Sequence, residues 1–196
     1  ADDHSIVLAG LCKLVEADGE GEVVGTVEDG RALVEEAQKL LEEAKILSRR
    51  AREVMGGFGE IFYAGYLHDS EKEMVEAAAV LAIVNHEPYP TPESLGVMMA
   101  TYLNGMAEAA SEVRRFALDE MRKGRMDEAE KILQQMETIY DDLISFDFPD
   151  SMTGGLRRTC DALRAVIERT RSDLTATATQ QELIRELRRT QEALEK

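Results

Sequence analysis

The run from Met74 to Val84, M-V-E-A-A-A-V-L-A-I-V, is apolar at every position except Glu76. It holds no Gly or Pro and is rich in Ala, so it reads as a helix that is hydrophobic all round and packed on several sides. An acid then sits inside a buried helix. Glu is almost never fully buried without a partner, because taking an ionised carboxylate out of water is costly. Glu73, at i−3, lies on the same face and adds repulsion. The pair therefore calls for a cationic group between or beside the two acids.

The chain around this run reads as all-α. Its 196 residues, 44% hydrophobic, suit one domain over 1–196. Four prolines and no tryptophan, with Ala, Leu, Glu and Arg spread throughout, disfavour strands. Periodic apolar positions predict seven helices. An opening helix covers Ser5 to Val15, with a connection closing the first 28 residues. The second, Asp29 to Met55, carries Leu33, Val34, Ala37, Leu40, Leu41, Ala44, Leu47, Ala51 and Val54 at steps of three and four, and Gly56 and Gly57 end it. The third runs from near Glu60 to His86 and stops at E-P-Y-P-T-P. Thr91 as cap, with Pro92 after it, opens a fourth that reaches Lys123. The fifth covers Asp127 to Phe146. The sixth, Ser151 to Leu174, spaces Leu156, Cys160, Leu163, Ile167, Thr170 and Leu174 as a seam for a partner helix. The seventh, Thr179 to Glu195, has only the thin stripe Leu183, Ile184, Leu187 and Leu194. Short connections favour an antiparallel bundle.

The longest apolar run is too short to cross a bilayer. No leader-like segment opens the sequence, and Cys12 and Cys160 lack metal-ligand spacing, so the expectation is a cytoplasmic protein with reduced core thiols. A net charge of −16 argues against indiscriminate binding to nucleic acid or anionic membrane. Basic groups nevertheless gather in the second half, where the ordinary role of such runs is a solvated helix face.

On the fourth helix Glu108 and Glu112 repeat the acid pair at i,i+4, away from the apolar stripe. Such a pair alone is ordinarily surface. Thr101 and Gly105, one and two turns earlier on the same side, leave room above the carboxylates. For Glu76 the competing structural role is a buried acid satisfied by Arg or Tyr from another helix. If the two helices face each other, E-x-x-E and E-x-x-x-E form an all-oxygen site suited to Mg²⁺ or Mn²⁺, which can orient water and neutralise a phosphodiester. A di-iron bundle would need Glu-x-x-His, and none of His4, His68 and His86 has that spacing. There is no Ser-His-Asp or Cys-His arrangement and no phosphate loop after a strand.

The stretches H-D-S-E-K-E-M-V-E-A (68 to 77), T-P-E-S-L-G-V…Y-L-N-G-M-A-E-A-A-S-E-V-R-R (91 to 115) and F-D-F-P-D-S-M-T-G-G-L-R-R (146 to 158) resemble the translin and translin-associated factor X family. The likeness is strongest to its archaeal members and covers roughly Arg31 to Arg189 in order. The resemblance implies an all-α, seven-helix translin-like subunit that assembles as a hollow homo-octamer and binds RNA, or single-stranded DNA, inside. It further implies that Glu73, Glu76, Glu108 and Glu112 are the acids of a Mg²⁺-dependent endoribonuclease. This chain departs from the catalytic pattern in carrying Glu108 where Asp is usual; one methylene shifts a ligand by about an ångström, enough to cost roughly a hundredfold in rate. An acidic exterior with a basic lining would hold RNA inside, and Arg114, Arg115, Arg122 and Arg125 are the candidate lining.

Three functions are carried forward. The first is a divalent-metal-dependent endoribonuclease acting on single-stranded or small structured RNA within a homo-oligomer. The second is a non-catalytic RNA- or single-stranded-DNA-binding shell of the same fold. The third is a helical scaffold that binds protein partners through the sixth-helix seam.

Overall fold

The computed structural model describes residues 30–195, and every regular element among them is helical. The all-α expectation holds. The helix expected over Ser5 to Val15, with His4 and Cys12, lies outside the described residues. In order, α1 is Gly30–Met55, α2 Gly59–Phe62, α3 Tyr66–Asn85, α4 Pro92–Leu95, α5 Met99–Arg122, α6 Met126–Ile144, α7 Asp150–Thr153 and α8 Leu156–Leu194. Of these, α2, α4 and α7 are single turns. No helix among the described residues is long and apolar enough to cross a membrane.

The chain falls into two compact units, Ala1–Glu42 and Glu43–Lys196. Of the first, the described part is the opening of α1, where Leu33 and Leu40 are exposed. The second unit is a bundle built around α5, which touches α3, α6, α7 and α8. Small residues let these axes approach closely. Ala78, Ala79 and Ala82 of α3, with Ala107, Ala109, Ala110 and Ala117 of α5, are all buried, and larger side chains from α6 and α8, among them Ile132, Met136, Leu163 and Ile167, fill the far side.

Turns end the helices where local chemistry requires it. The third expected helix is interrupted at Gly65 (φ 98°), so α3 starts at Tyr66 rather than near Glu60. It ends at His86, whose left-handed backbone (φ 57°) lets Glu87 N–H bond the Ala82 carbonyl at 2.9 Å. Thr91 caps α4 as expected, its Oγ1 accepting from Ser94 N–H at 3.2 Å, yet Gly96 stops that helix after one turn. The chain re-enters helix at Met99. Asn104, in the Y-L-N-G-M-A stretch, ties the turn after α7 to the core. Its Nδ2 donates to the Thr153 carbonyl at 2.7 Å, and Thr159 Oγ1 donates to its Oδ1 at 2.7 Å.

The sixth expected helix starts five residues later than Ser151, its first turn being the separate α7 cut off at Gly154 and Gly155. From Leu156 it runs on through the seventh as one continuous rod of 39 residues, α8. Thr175, Thr177 and Thr179 form a β-branched stretch of modest helix propensity. Their hydroxyls donate to carbonyls one turn back at 2.8, 2.8 and 3.0 Å, which satisfies these polar groups within a helix that continues past them. The seam expected to receive a partner helix is occupied by the chain's own α5 and α6: Leu156, Cys160, Leu163, Ile167, Thr170 and Leu174 are buried. That removes the surface on which the scaffold reading rested. Beyond it, Leu183, Ile184, Leu187 and Leu194 are exposed, as the thin stripe implied.

The run Met74 to Val84 is not packed on every side. Its buried face is Met74, Val75, Ala78, Ala79, Ala82 and Ile83, whereas Ala77 is exposed and Glu76 half-buried. The buried acid of α3 is instead Glu71, 1% exposed. It receives Ser48 Oγ at 2.7 Å and Arg52 Nε and Nη2 at 2.8 and 2.6 Å. This forked pair joins the second half of α1 to α3. Arg52→Ala leaves a carboxylate buried beside a lone hydroxyl donor. The expected cost is about 3 kcal/mol, read in thermal melts as a fall of roughly 6–12 °C, with Glu71→Gln milder because the amide keeps part of the network.

Candidate metal centre

The candidate site sits where α3 crosses α5. At Gly105 a Cβ would lie 2.6 Å from Val75 Cβ and 2.9 Å from the Lys72 carbonyl oxygen, so only glycine allows this approach. Gly105 therefore does not leave open room above the acids; it is the contact point that brings their helices together. One turn further along α5 stands Glu108, and on α3 the flanking turns supply Glu73 and Glu76.

These three acids converge. One carboxylate oxygen from each of Glu73, Glu76 and Glu108 lies within 4.8 Å of the others, with Glu73 exposed and the other two half-buried. Glu112, an exposed residue one turn beyond Glu108, is outside that three-oxygen cluster but close enough to act on it through its charge. Burial raises the Glu76 carboxyl above the ordinary carboxylate range, and the charges of Glu73, Glu108 and Glu112 add to the shift; Lys72 opposes it.

The cationic group that the acid pair called for is Lys72, which sequence reasoning passed over. Its Nζ donates to Glu108 Oε1 at 2.9 Å across the helix crossing, and both side chains are about one-third exposed or less (27% and 33%). That hydrogen bond raises the Lys72 ammonium pKa; burial works against the rise, and the charges of Glu108, Glu73 and Asp69 favour it. The available signal was its position: Lys72 precedes Glu73 directly and lies one turn before Glu76.

The donor set tests well for a hard divalent cation. Three carboxylates from two helices, with oxygens close enough to share one ion and Glu73 exposed to solvent, suit Mg²⁺ or Mn²⁺. One ammonium among three carboxylates leaves two negative charges unmatched, which adds to the effect of burial on Glu76.

The four expected basic residues do not share one surface role. Arg115 is exposed. Arg122, 78% exposed, reaches Asp119 at 3.1 Å. Arg114 Nη2 bonds Asp173 of α8 at 2.5 Å, while its Nε is buried without a hydrogen-bond partner. Arg125 forks onto buried Glu120, its Nη2 donating to Oε1 at 2.6 Å and its Nε to Oε2. The turn that ends α5 places it there: Gly124 takes φ 78° and Arg125 N–H bonds the Glu120 carbonyl at 2.9 Å. That fork, with Lys123 at 3.2 Å, holds the Glu120 carboxyl below its usual range. Glu120 was another buried acid that periodicity did not single out.

No protein-family model matches this chain. Among curated proteins, an uncharacterized protein of Methanocaldococcus jannaschii is 30% identical over 113 residues, 57% of this chain. The match spans half of that relative's length (50%). Among solved structures, the crystal structure of AfC3PO, from Archaeoglobus, is 34% identical with a TM-score of 0.59, covering 90% of this chain and 81% of that one. The structure of AfC3PO in complex with duplex RNA is 32% identical, TM-score 0.60, covering 74% and 88%. The crystal structure of apo-NeC3PO, from Nitrosomonas, is 26% identical with a TM-score of 0.66, covering 89% and 86%.

Two outcomes follow from the site geometry. Gly105→Ala must separate α3 from α5, with an expected loss of about 1–3 kcal/mol in denaturant melts. Glu76 carries a folded-state pKa above its unfolded one, so the folded chain holds its proton to higher pH and loses stability as pH rises through that window. In EDTA at pH 7, Glu76→Gln is therefore expected to melt above wild type, and the gap closes below the ordinary carboxylate range.

Proposed function

The chain belongs to the translin/TRAX (C3PO) family, and on that premise we propose that it is a Mg²⁺- or Mn²⁺-dependent endoribonuclease that cleaves RNA as a cytoplasmic homo-oligomer. The observation that carries the reading is the convergence of Glu73, Glu76 and Glu108 from two helices onto one point. Support for RNA as substrate comes from the AfC3PO complex with duplex RNA. The proposed substrate thus widens from single-stranded and small structured RNA to include duplexes.

Glu73, Glu76 and Glu108 would hold the ion. What such an ion supplies when bound is Lewis acidity toward water and toward a phosphodiester oxygen. The protein's own part is positioning. The Gly105 crossing fixes the α3 and α5 carboxylates relative to each other, so little rearrangement is needed before reaction. Glu112, exposed and one turn along α5, is the acid suited to take a proton from the attacking water. Glu108, a methylene longer than the usual Asp, still has a carboxylate oxygen within the cluster.

For the RNA-binding lining, the exposed Arg115 and Arg122 are the stronger members of the set. Arg114 and Arg125 have much of their charge committed to Asp173 and Glu120. The proposed assembly is a hollow octamer of a single domain over 1–196, with these groups facing RNA and the net negative charge facing outward.

A second reading, a non-catalytic shell for RNA or single-stranded DNA, draws on the Lys72–Glu108 ion pair, which neutralises one acid without any metal. Cleavage of labelled single-stranded and duplex RNA with Mg²⁺, Mn²⁺ or EDTA separates the two. The expected result is metal-dependent cleavage, reduced by roughly a hundredfold or more in Glu76→Gln and kept or raised in Glu108→Asp. RNA binding and a large assembled mass without cleavage in any metal would leave the shell as the function.

A further inference from the structure

Lys72 is the one cation among the described residues that an ion pair or hydrogen bond joins to the Glu73, Glu76 and Glu108 cluster. Its position is held by backbone rather than by a flexible loop, since its carbonyl faces Gly105 at the tightest point of the α3–α5 crossing. Its Nζ lies 2.9 Å from an oxygen of Glu108, one of the acids that would bind the ion. The ammonium and a divalent cation thus compete for one carboxylate. If the ammonium stays, it repels the ion at short range; if it leaves, its hydrogen bond to Glu108 is lost.

We infer that Lys72 is a tethered counter-ion that holds the acid cluster together in the metal-free protein and sets the affinity of the site for divalent cations, keeping it weak. The inference rests on the reading of the three acids as a metal site and deepens it. Without metal, Lys72 offsets part of the carboxylate repulsion and keeps Glu108 turned toward α3. With metal, the same charge lowers occupancy, so the site fills and empties with the ambient ion concentration instead of holding one ion permanently. A unit charge beside a dication about 5 Å away, in water-like screening, corresponds to roughly tenfold in affinity.

Isothermal titration with Mn²⁺ tests this on the full chain, using wild type, Lys72→Met, Lys72→Gln and Lys72→Arg, with Glu76→Gln as the control that assigns binding to this site. Melts are run in EDTA and in saturating Mn²⁺. Lys72→Met and Lys72→Gln are each expected to bind Mn²⁺ about tenfold more tightly than wild type, while melting lower in EDTA and recovering in Mn²⁺. Lys72→Arg should keep the wild-type affinity. Lys72→Gln can still donate a hydrogen bond to Glu108, so it reports on charge alone should Lys72→Met fail to fold. A merely structural lysine would lower the melting temperature with and without Mn²⁺ and leave affinity unchanged or weaker; that result overturns the inference and leaves the metal site standing. Absence of Mn²⁺ binding in wild type and in every variant overturns the metal site itself, and the inference with it.

Discussion

The whole arrangement turns on one close approach, Gly105 of α5 against Val75 and the Lys72 carbonyl of α3. A single added Cβ would fall well inside van der Waals contact there. Because the two axes meet at that point, the turns on either side bring Glu73, Glu76, Glu108 and Lys72 into mutual range. The alanines around the crossing extend the same logic, since they let the helices run close without interposed bulk. Packing and chemistry are therefore one problem in this protein. The residue that makes the helix contact possible also sets the distance between the carboxylates.

Three groups of acids on the same bundle meet two fates, and the contrast separates structure from function. Glu71 is buried and fully engaged by Arg52 and Ser48. Glu120 is buried and engaged by Arg125 and Lys123. Both are satisfied, and each joins segments of the fold. Among the described residues, the Glu73, Glu76 and Glu108 cluster is joined by a cation only at Lys72, and the Glu76 carboxyl stands raised, first by its burial and then by the charges around it. Groups held at such a cost without full compensation are the ones expected to meet a ligand. The same contrast bears on the arginines, because Arg125, committed to Glu120, contributes to the end of α5 before it can contribute to an RNA surface.

Much of this was legible beforehand, for identifiable reasons. Gly56, and Thr91 with Pro92, mark helix ends through backbone geometry that needs no distant partner, and they act where expected. The likeness of the 68–77 and 91–115 stretches to translin-type proteins pointed to four acids, of which Glu73, Glu76 and Glu108 converge and Glu112 lies outside their cluster. Other expectations failed in instructive ways. Glu76 looked buried because its neighbours are apolar, yet its own face of α3 is only half covered, while Glu71, outside the apolar run, is sealed. The rod α8 looked like two helices, yet it continues through the threonine stretch, whose hydroxyls find acceptors one turn back.

Sequence alone determined the helical class, most of the helix ends and which acids share a face, because these depend on residues within a turn or two of each other. Tertiary structure decided which side of each helix is covered, that Lys72 reaches Glu108, and that the α8 seam is filled by its own chain. Those outcomes depend on residues far apart in sequence: Lys72 and Glu108 are 36 positions apart, and Arg114 and Asp173 are 59 apart. Periodicity along one helix says where a face lies. It carries no information about the depth at which another helix will lie against it.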